Sequence, residues 1–267
     1  MDGAPFDIEY AERGDGPALL LLPGSFSSGA GWKAVTERLS RGYRIVTTSL
    51  LGYGATAEHR RRDNATMRQQ VKMIDRLLER IAAPTHVVGH SFGGFSALAH
   101  AMEGKVKPVS LTLVEANPFG LLKTAGELEL YGTIVSMLRE YFAAFDAGDP
   151  DAARHVIDFY GGAGAYLALP IKVRDYVMRT TPANVRDWSS GMPFEPPVSA
   201  WRSLAVPTMV IRGEEGHPAM RRVAELLAEY LPASRLESIA GGGHFLPATH
   251  PAEVASLIDA SVGAALS

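Results

Sequence analysis

The sequence predicts an α/β fold, a doubly wound and mostly parallel sheet with a helical lid inserted before its last strands. Three observations predict it. Short, almost wholly apolar runs alternate with amphipathic stretches. That alternation lapses between Asn117 and Trp201, where only helical patterns occur. A Gly-x-Ser-x-Gly turn, Gly89-His90-Ser91-Phe92-Gly93, sits where one apolar run gives way to a helical pattern.

In chain order, Phe6 to Glu12 is polar enough for an antiparallel edge strand. Ala18 to Leu22, Tyr43 to Thr48, Thr85 to Gly89, Pro108 to Glu115 and Thr208 to Gly213 are continuous apolar runs. Such runs belong to parallel strands covered on both faces. Between them, Met67 to Ile81 puts Met67, Val71, Ile74, Leu77, Leu78 and Ile81 on one stripe, with Asn64 and Thr66 as candidate N-caps. Helices also fit Trp32 to Leu39, Phe92 to Met102, Ala219 to Leu231 and Ala252 to Ala265. Strands and helices in alternation imply a sheet wound on both faces. Between the core strands, Leu128 to Ala147, Asp151 to Tyr160 and Leu169 to Arg179 read as helices, interrupted by Gly161-Gly162-Ala163-Gly164 and a Pro-rich stretch from Met192 to Val198. The expected division is a core of residues 1–117 and 202–267, with a helical cap of residues 118–201.

Composition narrows the function. The 267 residues are 46% hydrophobic and 21% charged, with a net charge of -3, so no basic surplus offers itself to nucleic acid. There is no cysteine, which excludes disulfides, thiolate metal sites and cysteine nucleophiles. Met1-Asp2-Gly3-Ala4-Pro5 has no basic and apolar export signal, and no apolar run reaches the roughly 20 residues of a bilayer span. The expectation is a cytoplasmic protein with no membrane partner.

The turn at Ser91 carries the chemistry. A strand that reverses so sharply into a helix strains the serine backbone and lifts its hydroxyl above the sheet. Side chains at positions 89 and 93 would collide with their surroundings. The helix that follows aims its N-terminal N–H groups at any negative oxygen nearby. His90 cannot reach back to its neighbour's hydroxyl and is read as structural.

With this turn, Leu22-Pro23-Gly24-Ser25-Phe26, Gly52-Tyr53-Gly54 and Gly242-Gly243-His244-Phe245 make the chain resemble the α/β-hydrolase superfamily, in the serine esterase branch with a lid after the sixth strand. The resemblance runs from Phe6 to Ala265. It implies a nucleophile, Ser91, followed in chain order by an acid and a histidine. His244 fits the base: it lies late, after the strand-like run Arg235 to Ile239, and Gly241-Gly242-Gly243 lets its ring swing over the nucleophile. A neutral imidazole can take the serine proton and return it to a leaving group.

At the acid the chain departs from its relatives. The family's usual aspartate position, after the seventh strand, holds Gly216. A second position known in the superfamily, the end of the sixth strand, falls on Glu115, closing the apolar run Val109 to Val114. A carboxylate there needs a partner, and a histidine ring N–H is one. Glu115 is therefore the favoured acid, with Glu215 and Glu214 as alternatives. The resemblance also implies an oxyanion hole made of the Phe92 and Ser25 amides, with Phe26 next in line.

These residues predict a serine hydrolase acting on an apolar, ester-like small molecule through an acyl-serine, with no metal or organic cofactor required. C–C bond hydrolysis, lactone opening and perhydrolysis would use the same residues, and a catalytically weak receptor would retain them. Dehalogenation and epoxide hydrolysis are disfavoured because the nucleophile is not a carboxylate. A homodimer is left open.

Overall fold

The computed structural model describes residues 7–266. Seven strands form one sheet: β1 (Ala11–Arg13), β2 (Ala18–Leu22), β3 (Arg44–Thr47), β4 (Thr85–His90), β5 (Ser110–Val114), β6 (Thr208–Gly213) and β7 (Ser234–Ile239). Their order is β1-β3-β2-β4-β5-β6-β7. Only β1 runs antiparallel, against β3, and every other pairing is parallel. The expected edge strand from Phe6 to Glu12 is thus present but begins later, at Ala11; Phe6 and the segment Met1–Pro5 lie outside the described residues.

The strands explain why their sequences are apolar throughout rather than alternating. Leu20, Leu22, Val87, Leu111 and Leu113 enter one core. Their strand neighbours Leu19, Leu21, Val88 and Val114 enter another, on the opposite face. Successive side chains of a strand point to opposite faces, and here both faces are covered.

Helix α1 (Met67–Ile81) and helix α2 (Phe92–Glu103) cover the first face. All six apolar residues of the α1 stripe are buried. Thr66 is its N-cap, and its amide donates to Gln69 Oε1 at 2.7 Å. Asn64 instead accepts from the Arg61 amide at 2.8 Å, closing the turn before the helix. The segment Trp32 to Leu39 is less helical than its pattern implies, with one turn at Gly29–Trp32 and another at Lys33–Thr36.

The chain leaves the sheet after β5 and returns at β6. The insertion therefore follows the fifth of the described strands, where the resemblance counts the sixth. Its long helices are α3 (Leu128–Asp146), α4 (Arg154–Gly161) and α5 (Ile171–Gly191). Helix α5 differs most from its sequence pattern. A proline removes a backbone donor and crowds the preceding turn, so helices commonly end before one. Here the helix passes through Pro182 and continues to Gly191. That extension carries Asn184, Asp187 and Trp188 back onto the core. Two further helices, α6 (Pro218–Tyr230) and α7 (Pro251–Leu266), complete the layers.

Candidate active site

Ser91 sits between β4 and α2 with φ 53° and ψ -122°. A non-glycine residue held there stores about 1–3 kcal/mol of strain, sustained only where the surroundings over-determine it. The constraints are visible. The Ser91 amide donates to Val114 O at 2.9 Å and its carbonyl accepts from the Phe95 amide at 3.0 Å. A Cβ on Gly89 would lie 2.5 Å from Gly94 Cα. One on Gly93 would overlap Pro23 O and lie 2.6 Å from Leu22 O. The turn closes only because neither glycine has a side chain. Gly93→Ala must displace backbone rather than a flexible side-chain tip. We expect it to cost about 2 kcal/mol, a fall in Tm of roughly 4–8 °C for a chain of this length, measurable by thermal unfolding. An unchanged Tm would show that the turn has slack.

His244 lies over this turn. Its Nε2 is 3.0 Å from Ser91 Oγ and its Nδ1 is 3.2 Å from Glu115 Oε2. All three residues are buried. Glu115 follows the last residue of β5 with φ 49°. Its amide donates to Ile211 O at 2.8 Å, and its Oε1 accepts from the Gly213 amide at 2.7 Å. An ionised carboxylate only accepts, so the geometry places the His244 proton on Nδ1 and leaves Nε2 free to accept from Ser91. Burial pushes the Glu115 carboxyl up to about 7 and the His244 imidazole down to about 3. Both shifts oppose a standing ion pair, so His244 is neutral at neutral pH.

Glu214 and Glu215 are exposed. Their amides brace the histidine loop, donating to Ile239 O at 3.1 Å and Gly242 O at 2.8 Å. Neither carboxylate reaches His244. A Cβ on Gly216 would stand 3.7 Å from both oxygens of Glu115. The Glu115 carboxylate therefore fills the space toward which an acid at position 216 would point. The three glycines before His244 differ in need: Gly241 has φ 67°, a Cβ on Gly242 would lie 2.5 Å from Leu246 Cδ2, and position 243 is open.

His90 Nε2 meets His244 O at 2.8 Å and so holds the backbone of His244. Burial and the neighbouring His244 lower its pKa to about 3, consistent with a structural imidazole. The ring of Tyr160, from α4, stacks on His244 with centroids 3.8 Å apart and planes 10° from parallel. Its hydroxyl accepts from Asn117 Nδ2 at 2.9 Å. Among the other histidines, His86 meets Ser110 Oγ, His100 pairs with Asp75, and His217 caps α6.

The loop after β2 brings Ser25 beside the turn. A Cβ on Gly24 would lie 2.9 Å from His90 Nδ1 and 3.1 Å from Ser91 Cβ, so the loop backbone is pressed against the serine. Phe26, next in the loop, has φ 59°. The Phe92 amide is in the first turn of α2, whose N–H groups have no intrahelical acceptor. Ser25 Oγ donates to Asp187 Oδ2 at 2.7 Å. Asp187 and Tyr160 both touch the site without having been legible as site residues. Asp187 lies beyond Arg179, where the helix was expected to end, and Tyr160 was one aromatic among many in the insertion.

Above Ser91 is a cavity of about 430 Å3, walled mainly by apolar side chains from the core and the insertion. Phe119 stacks on Trp188 at 5.9 Å to form part of the wall. Of the aromatic residues and methionines in the insertion, Phe119, Tyr160, Trp188 and Met192 line it. Arg139, Arg154, Arg174, Arg179 and Arg186 do not, and no Lys or Arg does among the described residues. No group of three or more His, Cys, Asp or Glu gathers for a metal among the described residues, and no helix there is long and apolar enough to cross a membrane.

Comparison with known proteins agrees with this architecture. A family model described as the alpha/beta hydrolase family matches residues 19–257. The magnesium-chelatase 30 kDa subunit of Rhodobacter capsulatus is 26% identical over 259 residues, 89% of this chain and 85% of that protein. A pimeloyl-[acyl-carrier protein] methyl ester esterase of Aliivibrio fischeri is 32% identical over 111 residues, 42% of this chain and 41% of that protein. The structure of MenH from S. aureus superposes with a TM-score of 0.77 at 19% identity, covering 98% of this chain and 99% of that one.

Proposed function

This chain belongs to the alpha/beta hydrolase family, and on that premise we propose that it is a serine hydrolase of carboxylic esters. The observation that carries the reading is the unbroken line from Ser91 Oγ through both ring nitrogens of His244 to Glu115, at 3.0 and 3.2 Å. Ser91 attacks the ester carbonyl while its proton passes to His244 Nε2. Charge gathers on the carbonyl oxygen, where the Phe92 and Ser25 amides hold it. Collapse breaks the C–O bond, and the departing alcohol takes the proton from His244. Water then gives His244 a proton and attacks the acyl-serine, and the carboxylic acid leaves as Ser91 recovers its hydrogen. Throughout, Glu115 keeps the Nδ1 proton in place and stabilises the transient imidazolium.

The apolar cavity favours an uncharged acyl or alcohol group. Residues 118–201 act as the cap that closes over it. Ester cleavage is also what the name of the Aliivibrio fischeri relative describes. The test is a fluorophosphonate probe with a panel of short-chain p-nitrophenyl esters. Ser91 should be labelled, Ser91→Ala should not, and the panel should be turned over. A folded chain that takes no label would be a binding protein instead.

The pair of buried groups sets the pH response. Burial raises the Glu115 carboxyl to about 7 and lowers the His244 imidazole, and because the two groups touch, a proton taken up on the acid side belongs to the pair. On the carboxyl it makes Glu115 a donor to Nδ1 and moves the ring proton from Nδ1 to Nε2; on the ring it fills both nitrogens; either way Ser91 loses its acceptor. We expect kcat/KM to fall by one proton as pH drops through about 7, as macroscopic values of the pair. In Glu115→Gln that titration is gone, and the acid limb should move to lower pH on a much smaller maximum. A limb that stays in place would assign it to another group.

A further inference from the structure

Asp187 is the sole carboxylate on the cavity wall among the described residues, and three donors converge on it. Ser25 Oγ and Tyr53 OH reach Oδ2 at 2.7 and 2.6 Å, and Arg60 Nη1 reaches Oδ1 at 2.8 Å. Arg60 is held in turn by both oxygens of Glu58 and by Leu51 O. Tyr53, Arg60 and Asp187 are almost wholly buried, so the carboxylate is a fixed point. Of its three donors only Ser25 stands in the loop beside Ser91. The loop's other holds lie beyond Ser25: Phe26 packs against apolar clusters, and Ser27 O accepts from Tyr176 OH at 3.3 Å. Gly24 offers no side chain, and Phe26 takes up the left-handed region at φ 59°, a conformation a larger residue keeps only when its surroundings impose it.

We propose that Asp187 is a positioning residue for the oxyanion hole: by anchoring the Ser25 hydroxyl it sets the direction of the Ser25 amide. Because Asp187 rides on α5, the helical insertion and not the core alone assembles the second donor. This rests on reading Ser91 as nucleophile and the Ser25 amide as a donor to the oxyanion. Any shift of α5 away from the core would then release the donor and slow the reaction with the Ser91–His244–Glu115 line intact.

The test compares Ser25→Ala, Ser25→Thr, Asp187→Asn and Tyr53→Phe in the full chain. Ser25→Ala keeps the backbone amide and loses only its anchor. Removing an oxyanion donor outright costs about 100- to 1000-fold in kcat, so a loosened one should cost about 10- to 100-fold, with KM within about threefold. Affinity for a boronic acid, which forms a tetrahedral anion on the serine, should weaken by the same factor. Ser25→Thr restores the hydroxyl and should recover kcat to within about threefold. Ser25→Ala added to Asp187→Asn should cost nothing further, since both break one contact. Tyr53→Phe removes the other hydroxyl from the same oxygen without touching the loop; it should lower Tm and leave kcat within about twofold.

Should Ser25→Ala keep full kcat and boronate affinity while Ser91 still takes a fluorophosphonate label, the inference fails alone. An equal loss in Tyr53→Phe would also overturn it, because the effect would then be general loosening. If the unaltered chain takes no label, the hydrolase reading falls and the anchor's role with it.

Discussion

Ser91→Ala and His244→Ala each lower kcat on a p-nitrophenyl ester by at least about 10,000-fold, and the double variant is no worse than either. Groups that act as one unit in proton transfer and attack are not additive, because each alone is useless. What remains in every variant is the rate supplied by binding and the oxyanion donors. The measurement must pair the rate with a thermal melt. Ser91→Ala should melt within a degree or two of the unaltered chain, since alanine is as strained as serine at φ 53°. Ser91→Gly should be as inactive but more stable by about 1 kcal/mol, because glycine takes that backbone conformation freely. If His244→Ala keeps more than about 1% of the rate, some other group takes the Ser91 proton and the Ser91–His244 contact is incidental.

Glu115→Gln lowers kcat by about 1000- to 10,000-fold, although the two side chains have the same shape. The Gly213 amide donates to Oε1 at 2.7 Å, so the glutamine must turn its oxygen there and its nitrogen to His244. That nitrogen donates to Nδ1, drives the ring proton to Nε2 and leaves Ser91 facing a donor, the wrong tautomer for general base catalysis. The position of Gly216 adds a second arm. Its missing Cβ would point at the Glu115 carboxylate from 3.7 Å, and its φ lies outside the left-handed region, so an aspartate is sterically admissible. Glu115→Gly removes the acid and relieves the φ 49° strain. Adding Gly216→Asp to it should return at least tenfold of the lost rate. In the unaltered background Gly216→Asp should instead lower activity, because two carboxylates would compete for one buried space. No recovery in the double variant would mean that Glu115 does more than orient the ring. Equal activity of Glu115→Gln and the unaltered chain would remove it from the mechanism.

The sequence by itself determined the parts written in neighbouring residues. Continuous apolar runs gave away strands covered on both faces, the 67–81 stripe gave away a helix, and Gly89 and Gly93 announced a turn too tight for any side chain. Ser91 follows from that turn alone, because its strain and its place at a helix start are local properties. His244 needed its glycines, the presence of Ser91 and the chain order that the family resemblance implies.

Tertiary structure decided everything that depends on distant segments meeting. Glu115 and His244 are 129 residues apart, and only folding shows Glu214 and Glu215 facing outward while Glu115 meets the ring. Asp187 reaches Ser25 across 162 positions, on a stretch of helix beyond Arg179, where the sequence pattern ended. Propensity weighs each residue against its near neighbours, whereas α5 persists through Pro182 in a setting where residues such as Trp188 and Asp187 find partners on the core. Tyr160 was selected from a crowd of apolar rings in the same way, by the path of the chain that lays it over His244.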